Sequence, residues 1–281
     1  MPISVVPLSP ALGAEIRGVD LSKPIDAATK AAIHRVWLDN VIVLFRDQTL
    51  AEIDQVNFTA IFGEVGIRPR PKEFRPESND LHPTIMLISN IRENGRPIGS
   101  LPDGEMMFHH DMIHIATPDK ATCLYAMELP RVGGNTLFAN MYKAYDTLPA
   151  HIRDRLQGRK AYHHYHYGST IKGDDRGVPA FGDSTHPVFW RHPETGRTAI
   201  YVNRLMTQHV IDMPRAESDA LLAAVFDHCE RPEFVYEHRW RIGDLVMWDN
   251  RCSMHARTDF PETERRLLRR TTVRGADVPA S

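Results

Sequence analysis

Short apolar, β-branched runs recur along the whole chain, and no regular alternation of strand and helix links them. They lie at Ile3 to Val6, Val41 to Phe45, Thr84 to Ile88, Cys123 to Met127, Ala199 to Val202, Leu245 to Trp248 and Leu267 to Val273, and each reads as a strand. Helical periodicity is confined to Asp26 to Leu38, with Asp26 as N-cap, Ala51 to Phe62, Tyr142 to Leu156 and Ala216 to Cys229. A parallel doubly wound sheet needs a helix after nearly every strand, and these helices are too few. The spacing predicts a mainly β fold with flanking helices, built on an antiparallel double-layered core.

A single domain over residues 1–281 is expected, because β sandwiches and barrels of about 200 to 250 residues commonly form one unit. Two long connections interrupt it: Arg68 to Pro83, rich in proline and charge, and Gly168 to Pro187, rich in Gly, Asp and Ser. With 34 Lys and Arg against 36 Asp and Glu, no overall positive field draws nucleic acid or an anionic membrane, so the expected partner is a small molecule. Cys123, Cys229 and Cys252 lie far apart, with no Cys-x-x-Cys pair, which argues against a disulfide framework or a thiolate zinc site and fits a reducing cytoplasm. The opening Met-Pro-Ile-Ser-Val-Val-Pro has neither a basic leader nor a long apolar run, so a cytoplasmic, unprocessed chain is expected.

The most informative segment is Met106-Met107-Phe108-His109-His110-Asp111-Met112. On a strand, side chains alternate between faces, so His109 and Asp111 share one face and His110 takes the other. An imidazole beside a carboxylate supplies two thirds of a facial triad, the set that leaves open positions on iron(II). His255, after the run Leu245 to Trp248 and a polar turn, offers the third ligand, which a double-layered β fold can bring back to the first two. His-x-Asp alone is a weak signal in a chain with 15 histidines. Its context strengthens it: Arg265-Arg266-Leu267-Leu268-Arg269-Arg270 places guanidinium groups inside an apolar strand pattern. Either this is a solvated edge strand, or it binds anions through charge-assisted pairs worth about 1.5 to 3 kcal/mol each when shielded.

The ordered motifs resemble the taurine dioxygenase and 2,4-dichlorophenoxyacetate dioxygenase family of iron(II)- and 2-oxoglutarate-dependent oxygenases. The resemblance runs through Leu12-Gly13-Ala14-Glu15-Ile16-Arg17-Gly18, Val41 to Gln48, Phe62-Gly63, His109-His110-Asp111, Gly133-Gly134-Asn135-Thr136, Tyr201-Val202-Asn203, Trp248-Asp249-Asn250-Arg251, His255, Arg266 and Arg270. It implies a double-stranded β-helix (jelly-roll) core, Fe(II) on His109, Asp111 and His255, and 2-oxoglutarate held by Thr136 and Arg266. It also implies a substrate anion met by Arg270 and by the backbone amide of Met112, O2 as oxidant, and a homo-oligomer. Where the taurine enzyme has a substrate-binding histidine, this chain reads Gly66-Ile67-Arg68-Pro69, so Arg68 stands as a third candidate cation against the plain alternative of a loop arginine.

A charge count agrees with this assignment. Iron(II), one carboxylate and dianionic 2-oxoglutarate leave net negative charge that one buried arginine offsets, and an anionic substrate requires a second. The resemblance thus implies hydroxylation of a small organic acid such as a sulfonate or aryloxyalkanoate, with release of succinate and CO2. A non-redox metal-binding jelly roll, which has no need of Arg266 paired with Thr136, and a zinc-dependent hydrolase, which metal-dependent hydrolysis without 2-oxoglutarate would favour, are the alternatives. The turn-rich stretch Ile91 to Glu105 is expected to shape the pocket mouth, and the cluster His163, His164, His166 reads as aromatic packing at its rim.

Overall fold

The computed structural model describes residues 3–68, 75–78, 80–101, 104–166, 168–173 and 180–276. Its larger sheet has seven strands in the order β1 (Ser4–Pro7), β2 (Ala14–Arg17), β3 (Ile42–Phe45), β16 (Leu245–Asp249), β8 (Ala121–Glu128), β18 (Leu267–Val273) and β4 (Met86–Ser89). A four-stranded sheet runs β15 (Val235–His238), β9 (Thr136–Asn140), β17 (Ser253–Arg257) and β7 (Met106–His109). Apart from the parallel pair β2 and β3, both sheets are antiparallel. Smaller ladders join β10 (Lys160–His166) to β11 (Ala180–Pro187) and β14 (Thr207–Val210), β12 (Phe189–Arg191) to β13 (Thr198–Ile200), and β5 (Arg92–Glu93) to β6 (Arg96–Pro97).

The period of two explains why the central strands read as unbroken apolar runs. Ile42 and Leu44 of β3, Leu124 and Ala126 of β8, and Val246 and Trp248 of β16 share one core with Phe138, Ala139 and Met254 of the smaller sheet. Their sequence neighbours Val43, Phe45, Cys123, Tyr125, Leu245 and Met247 point the other way. There they pack on Ile33 and Trp37 of α1 (Ala27–Asn40) and Phe58 of α2 (Glu52–Thr59). Both faces of this sheet are therefore dry, which selects apolar residues at successive positions. The inner face meets the second sheet directly, with the Phe138 and Trp248 ring centroids 5.3 Å apart.

Two expectations need correction, and one of the two readings of the arginine-rich segment is excluded. The periodic stretch Tyr142 to Leu156 is two helices, α3 (Met141–Asp146) and α4 (Ala150–Leu156), because Pro149 has no N–H to offer the carbonyl of Tyr145. Asn140 starts the first of them, its side chain accepting from the amides of Tyr142 and Lys143 at 3.1 and 3.2 Å. The connection Gly168 to Pro187 ends in strand β11, which pairs with β10; residues 174–179 lie outside the described residues, as do 69–74 and 79 of the other connection. The arginine-rich strand β18 is not a sheet edge, since it lies between β8 and β4. The remaining helix, α5 (Arg215–Cys229), follows Pro214, and among the described residues no helix is long and apolar enough to cross a membrane.

A buried ionic turn links β16 to β17. Asp249 accepts from Arg251 Nε at 2.9 Å and Arg251 Nη2 at 2.7 Å, and its Oδ2 lies 3.0 Å from His192 Nε2. The His192 Nδ1 accepts from the amides of Glu194 and Thr195, so its proton is on Nε2 and is donated to Asp249. Cys252 lies close enough for these residues to resemble a metal cluster, but the donors of His192 and Asp249 are committed to each other and to Arg251. Arg251 Nη1 also reaches Glu194 at 2.8 Å, as does Lys120 Nζ.

Removing one partner of such a buried set strands a charge, so Arg251→Met is expected to lower unfolding free energy by about 3 to 5 kcal/mol in urea titrations. Burial alone would raise the carboxyl of Glu194, but Lys120 and Arg251 hold it down at about 2, from an ordinary 4.5. Its contribution is present above pH 4.5 and lost as pH falls toward 2, so wild-type stability should drop through that window and the variant's should drop less.

Candidate metal centre and active-site cavity

Strands β7 and β17 pair with His109 directly opposite His255. Cross-strand neighbours of this kind stand side by side on one face, and the two rings lie 4.1 Å apart. This register brings together two histidines from opposite ends of the chain. His255 packs against Trp248 on its other side, with centroids 4.8 Å apart.

Asp111 reaches the same point by a different route from the one the strand pattern predicted. Strand β7 stops at His109, and the chain turns through residues 110–114, with Met112 at φ 57°. The turn swings the carboxylate back, so that His109 Nε2 lies 4.0 Å from Asp111 Oδ1. His110 points away as expected: it is buried, 3.4 Å from Asn203 Nδ2, with its ring 4.6 Å from that of Tyr201. One ligand-type atom from each of His109, Asp111 and His255 lies within 4.8 Å of the others.

The protonation pattern suits a divalent cation. His109 Nδ1 is 2.9 Å from the carbonyl of Met107, which requires the proton on Nδ1 and leaves the Nε2 lone pair facing Asp111. Burial lowers the pKa of His109 against the pull of Asp111, and burial with the neighbouring His109 puts His255 well below its ordinary value. Both imidazoles are neutral at pH 7. Burial opposes ionisation of Asp111, but the charge of Arg270 and the hydrogen bond from Thr122 hold its carboxyl well below the usual range. Thr122 Oγ1 donates to Asp111 Oδ2 at 2.7 Å and itself accepts from Asn250 Nδ2 at 3.1 Å, so the carboxylate is oriented from behind. Two neutral imidazoles and one carboxylate are the donor set of a facial triad.

These groups open onto a cavity of about 650 Å3. Its body is apolar, with Met86, Ile88, Leu124, Met206 and Trp248 among the lining residues, and Pro97, Gly99 and Leu101 from the turn-rich stretch contribute as expected. Its polar side chains converge from a few strands. Thr136 and Arg266 both line it, as do Arg270, Met112, His114 and Tyr165. Alternation along the arginine-rich strand sorts its charges: Arg266 and Arg270 face the cavity, Arg265 pairs with Glu128 on the surface, and Arg269 is bound to Gln55 and the carbonyls of Leu50 and Ala51.

Arg266 is the most informative of these residues. It is 1% exposed, its Nη2 donates to the carbonyl of Gly134 at 3.2 Å, and its Nε and Nη1 are buried with no acceptor. Burial, aided by the charge of Arg257, pulls its pKa down to about 9, so it remains a cation at neutral pH. A desolvated guanidinium with unmet donors fits a carboxylate ligand. Arg270 Nη2 lies 3.1 Å from Asp111 Oδ2, and its Nε is likewise unpaired.

Two further placements differ from the sequence reading. Arg68 does not line the large cavity. Its Nη1 is 3.9 Å from buried Glu77, its Nη2 donates to the carbonyl of Leu81, and it borders a small crevice beside Asp119 and Arg270. An acid nine residues along the chain faces this arginine, a pairing that its neighbours in sequence did not suggest. Arg257, by contrast, lines the cavity and donates to the carbonyl of Gly104 at its mouth. The signal was available: Arg257 is two residues past His255 on the same strand and so on the same face. His164 and His166 do share a face, with Nε2 atoms 3.1 Å apart, while His163 is buried against Thr207.

Close packing under Arg266 yields a prediction. A Cβ at Gly134 would lie 3.0 Å from Pro130 Cγ and 3.2 Å from Arg266 Nε, at a φ of +66°. Gly134→Ala is expected to cost on the order of 1 to 3 kcal/mol of stability by thermal or urea unfolding, because both the backbone and the arginine must shift.

Comparison with known proteins agrees with the geometry. Residues 4–272 match the family described as taurine catabolism dioxygenase TauD, TfdA family. The chain is 30% identical to the alpha-ketoglutarate-dependent 2,4-dichlorophenoxyacetate dioxygenase of Cupriavidus pinatubonensis, over 97% of this chain and 98% of that protein. Among solved structures it is similar to a taurine dioxygenase from Burkholderia xenovorans, with a TM-score of 0.83 and 31% identity, over 99% of this chain and 93% of the other. It is also similar to AAD-2 in complex with Mn(II) and N-oxalylglycine, with a TM-score of 0.80 and 25% identity over 100% of both chains. On the extent of these matches, the chain belongs to the TauD/TfdA dioxygenase family.

Proposed function

We propose that this protein hydroxylates a small, anionic organic substrate with an apolar body, using Fe(II), 2-oxoglutarate and O2 and releasing succinate and CO2. The reaction class is that of its family, whose members here include enzymes named for dependence on alpha-ketoglutarate. The observation that carries the reading is the juxtaposition, in one cavity, of the His109, Asp111, His255 set with an arginine whose buried donors lack acceptors. A non-redox metal-binding jelly roll would have no use for that second group. We read the whole chain, 1–281, as one domain on a double-stranded β-helix core, which the two facing antiparallel sheets support. Cytoplasmic residence, supported by three free buried cysteines, and homo-oligomer formation belong to the same proposal.

In this reading His109, Asp111 and His255 hold iron(II), and Thr136 and Arg266 hold the distal carboxylate of 2-oxoglutarate. Bound iron with 2-oxoglutarate supplies O2 activation coupled to oxidative decarboxylation, which generates the oxidant for a substrate C–H bond. The protein orients and isolates. Thr122 fixes the carboxylate of Asp111, the Met107 carbonyl fixes the His109 ring, and the apolar walls exclude water from the reacting carbon. Arg270 is the cation for the substrate's acid group, with the Met112 backbone amide beside it; its ion pair with Asp111 aims it at the centre. The relatives named for 2,4-dichlorophenoxyacetate and taurine both concern small molecules with an acidic head group, which supports a carboxylate or sulfonate there. Arg68 is not retained as a substrate cation, because it does not line the cavity and faces Glu77 instead.

The test is an anaerobic titration of metal-free protein with iron(II) and 2-oxoglutarate, observing the weak visible charge-transfer band of the chelate. The band should form in wild type and require far more 2-oxoglutarate in Arg266→Met. Metal binding without the band would move the reading to a zinc-dependent hydrolase or non-redox protein. Thr122→Val leaves the three ligands in place but removes the bond to Asp111, and should weaken iron(II) or cobalt(II) binding about 10- to 100-fold in competition with a chelating dye. Unchanged affinity would contradict the orienting role of Thr122.

A further inference from the structure

We infer that Trp240 is a positioning residue for the cosubstrate site: its indole N–H occupies a lone pair of Thr136 Oγ1 and so turns the Thr136 hydroxyl proton toward the distal carboxylate of 2-oxoglutarate. The inference rests on the reading above that Thr136 and Arg266 receive that carboxylate.

Trp240 Nε1 donates to Thr136 Oγ1 at 3.0 Å. A hydroxyl carries one proton and two lone pairs, and an N–H aimed at the oxygen excludes the hydroxyl proton from that direction. Thr136 is 4% exposed and lines the cavity, whereas Trp240 does not line it. The remaining directions for the proton include the cavity, where the unpaired Nε and Nη1 of Arg266 also lie in wait for an acceptor. Donation into the oxygen also polarises the O–H bond and makes it a stronger donor.

This bond is not a default of indole burial in the chain, since Nε1 of both Trp37 and Trp248 is buried with no partner. The Trp240 ring is held in place. His238 stands perpendicular to it at 4.5 Å, and β15 pairs His238 directly with Thr136. His238 is fully buried with Nε2 3.2 Å from Asp244 Oδ2, and that oxygen accepts from Arg46 Nη1 at 2.7 Å and from the Arg241 amide at 2.9 Å. A buried ionic cluster on the far side of the ring thus fixes where the indole N–H points.

The experiment measures, by calorimetry on zinc-loaded protein, binding of 2-oxoglutarate and of 2-oxopentanoate, which has the same chelating end but no distal carboxylate. Trp240→Phe should weaken 2-oxoglutarate by about five- to tenfold, the loss of one hydrogen bond to the ligand, and leave 2-oxopentanoate unchanged. In a Thr136→Val background the same substitution should have no further effect. Equal losses for both acids, or losses that add to those of Thr136→Val, would overturn the inference and leave Trp240 with a purely structural role. If wild type does not distinguish the two acids, the carboxylate assignment of Thr136 and Arg266 fails and the inference falls with it. A wild-type measurement covers the case in which Trp240→Phe does not fold. The Trp240 indole N–H resonance of 15N-labelled, zinc-loaded protein should move on addition of 2-oxoglutarate but not of 2-oxopentanoate, and should fail to respond in Thr136→Val. An indole resonance insensitive to 2-oxoglutarate would count against the coupling.

Discussion

His109 and His255 stand opposite each other because β7 and β17 pair in one register, and the rest of the site depends on that pairing. A slip of one residue between these strands would leave the two imidazoles on opposite faces of the sheet. The neighbouring strand β9 locks the register from the other side, since His255 pairs with Phe138 and Arg257 with Thr136. The same ladder therefore sets the distance from the candidate metal ligands to the candidate cosubstrate threonine. The ring of Trp248, reaching across from the larger sheet, closes off the third side of His255.

Desolvated charge is the second constraint. Arg257, Arg266 and Arg270 all line the cavity, while Asp111 lies within ion-pair distance of Arg270. Elsewhere in the core, buried charges are matched: Asp249 with Arg251, and Asp244 with Arg46. The cavity differs from these pairs in gathering more cations than anions. A fold selected only for stability would not keep an arginine at 1% exposure with two nitrogens unbonded, since such a group is disfavoured until a ligand completes it. In the proposed reading Thr136 and Arg266 are the donors that a carboxylate completes, with the Trp240 indole N–H bonded to Thr136.

The layering that shelters the site was largely legible in the sequence. Runs such as Ile42-Val43-Leu44-Phe45 are apolar at every position because one set of alternate residues meets the second sheet and the other meets the helices. Short strands with mixed composition, including β9 and β17, were less legible, because their polar residues serve the cavity and break the apolar pattern. The helix expected over Tyr142 to Leu156 failed at Pro149, a local rule that the wider periodicity obscured. The placement of Arg68 was out of reach, because burial against Glu77 is decided by how a loop folds back on itself.

By itself the sequence determined the chemical inventory: His109, Asp111 and His255 as ligand types, and a run of arginines whose alternate members had to face different surroundings. Those conclusions need only residue chemistry and the period of two. The tertiary structure alone decided that Arg257 also lines the cavity, that β18 is an interior strand, and that a turn at Met112, not a continuing strand, delivers Asp111. It also placed Trp240 against Thr136, two residues about a hundred positions apart. Such facts depend on strand order and loop path, which arise from the packing of distant segments and leave no local signature in the chain.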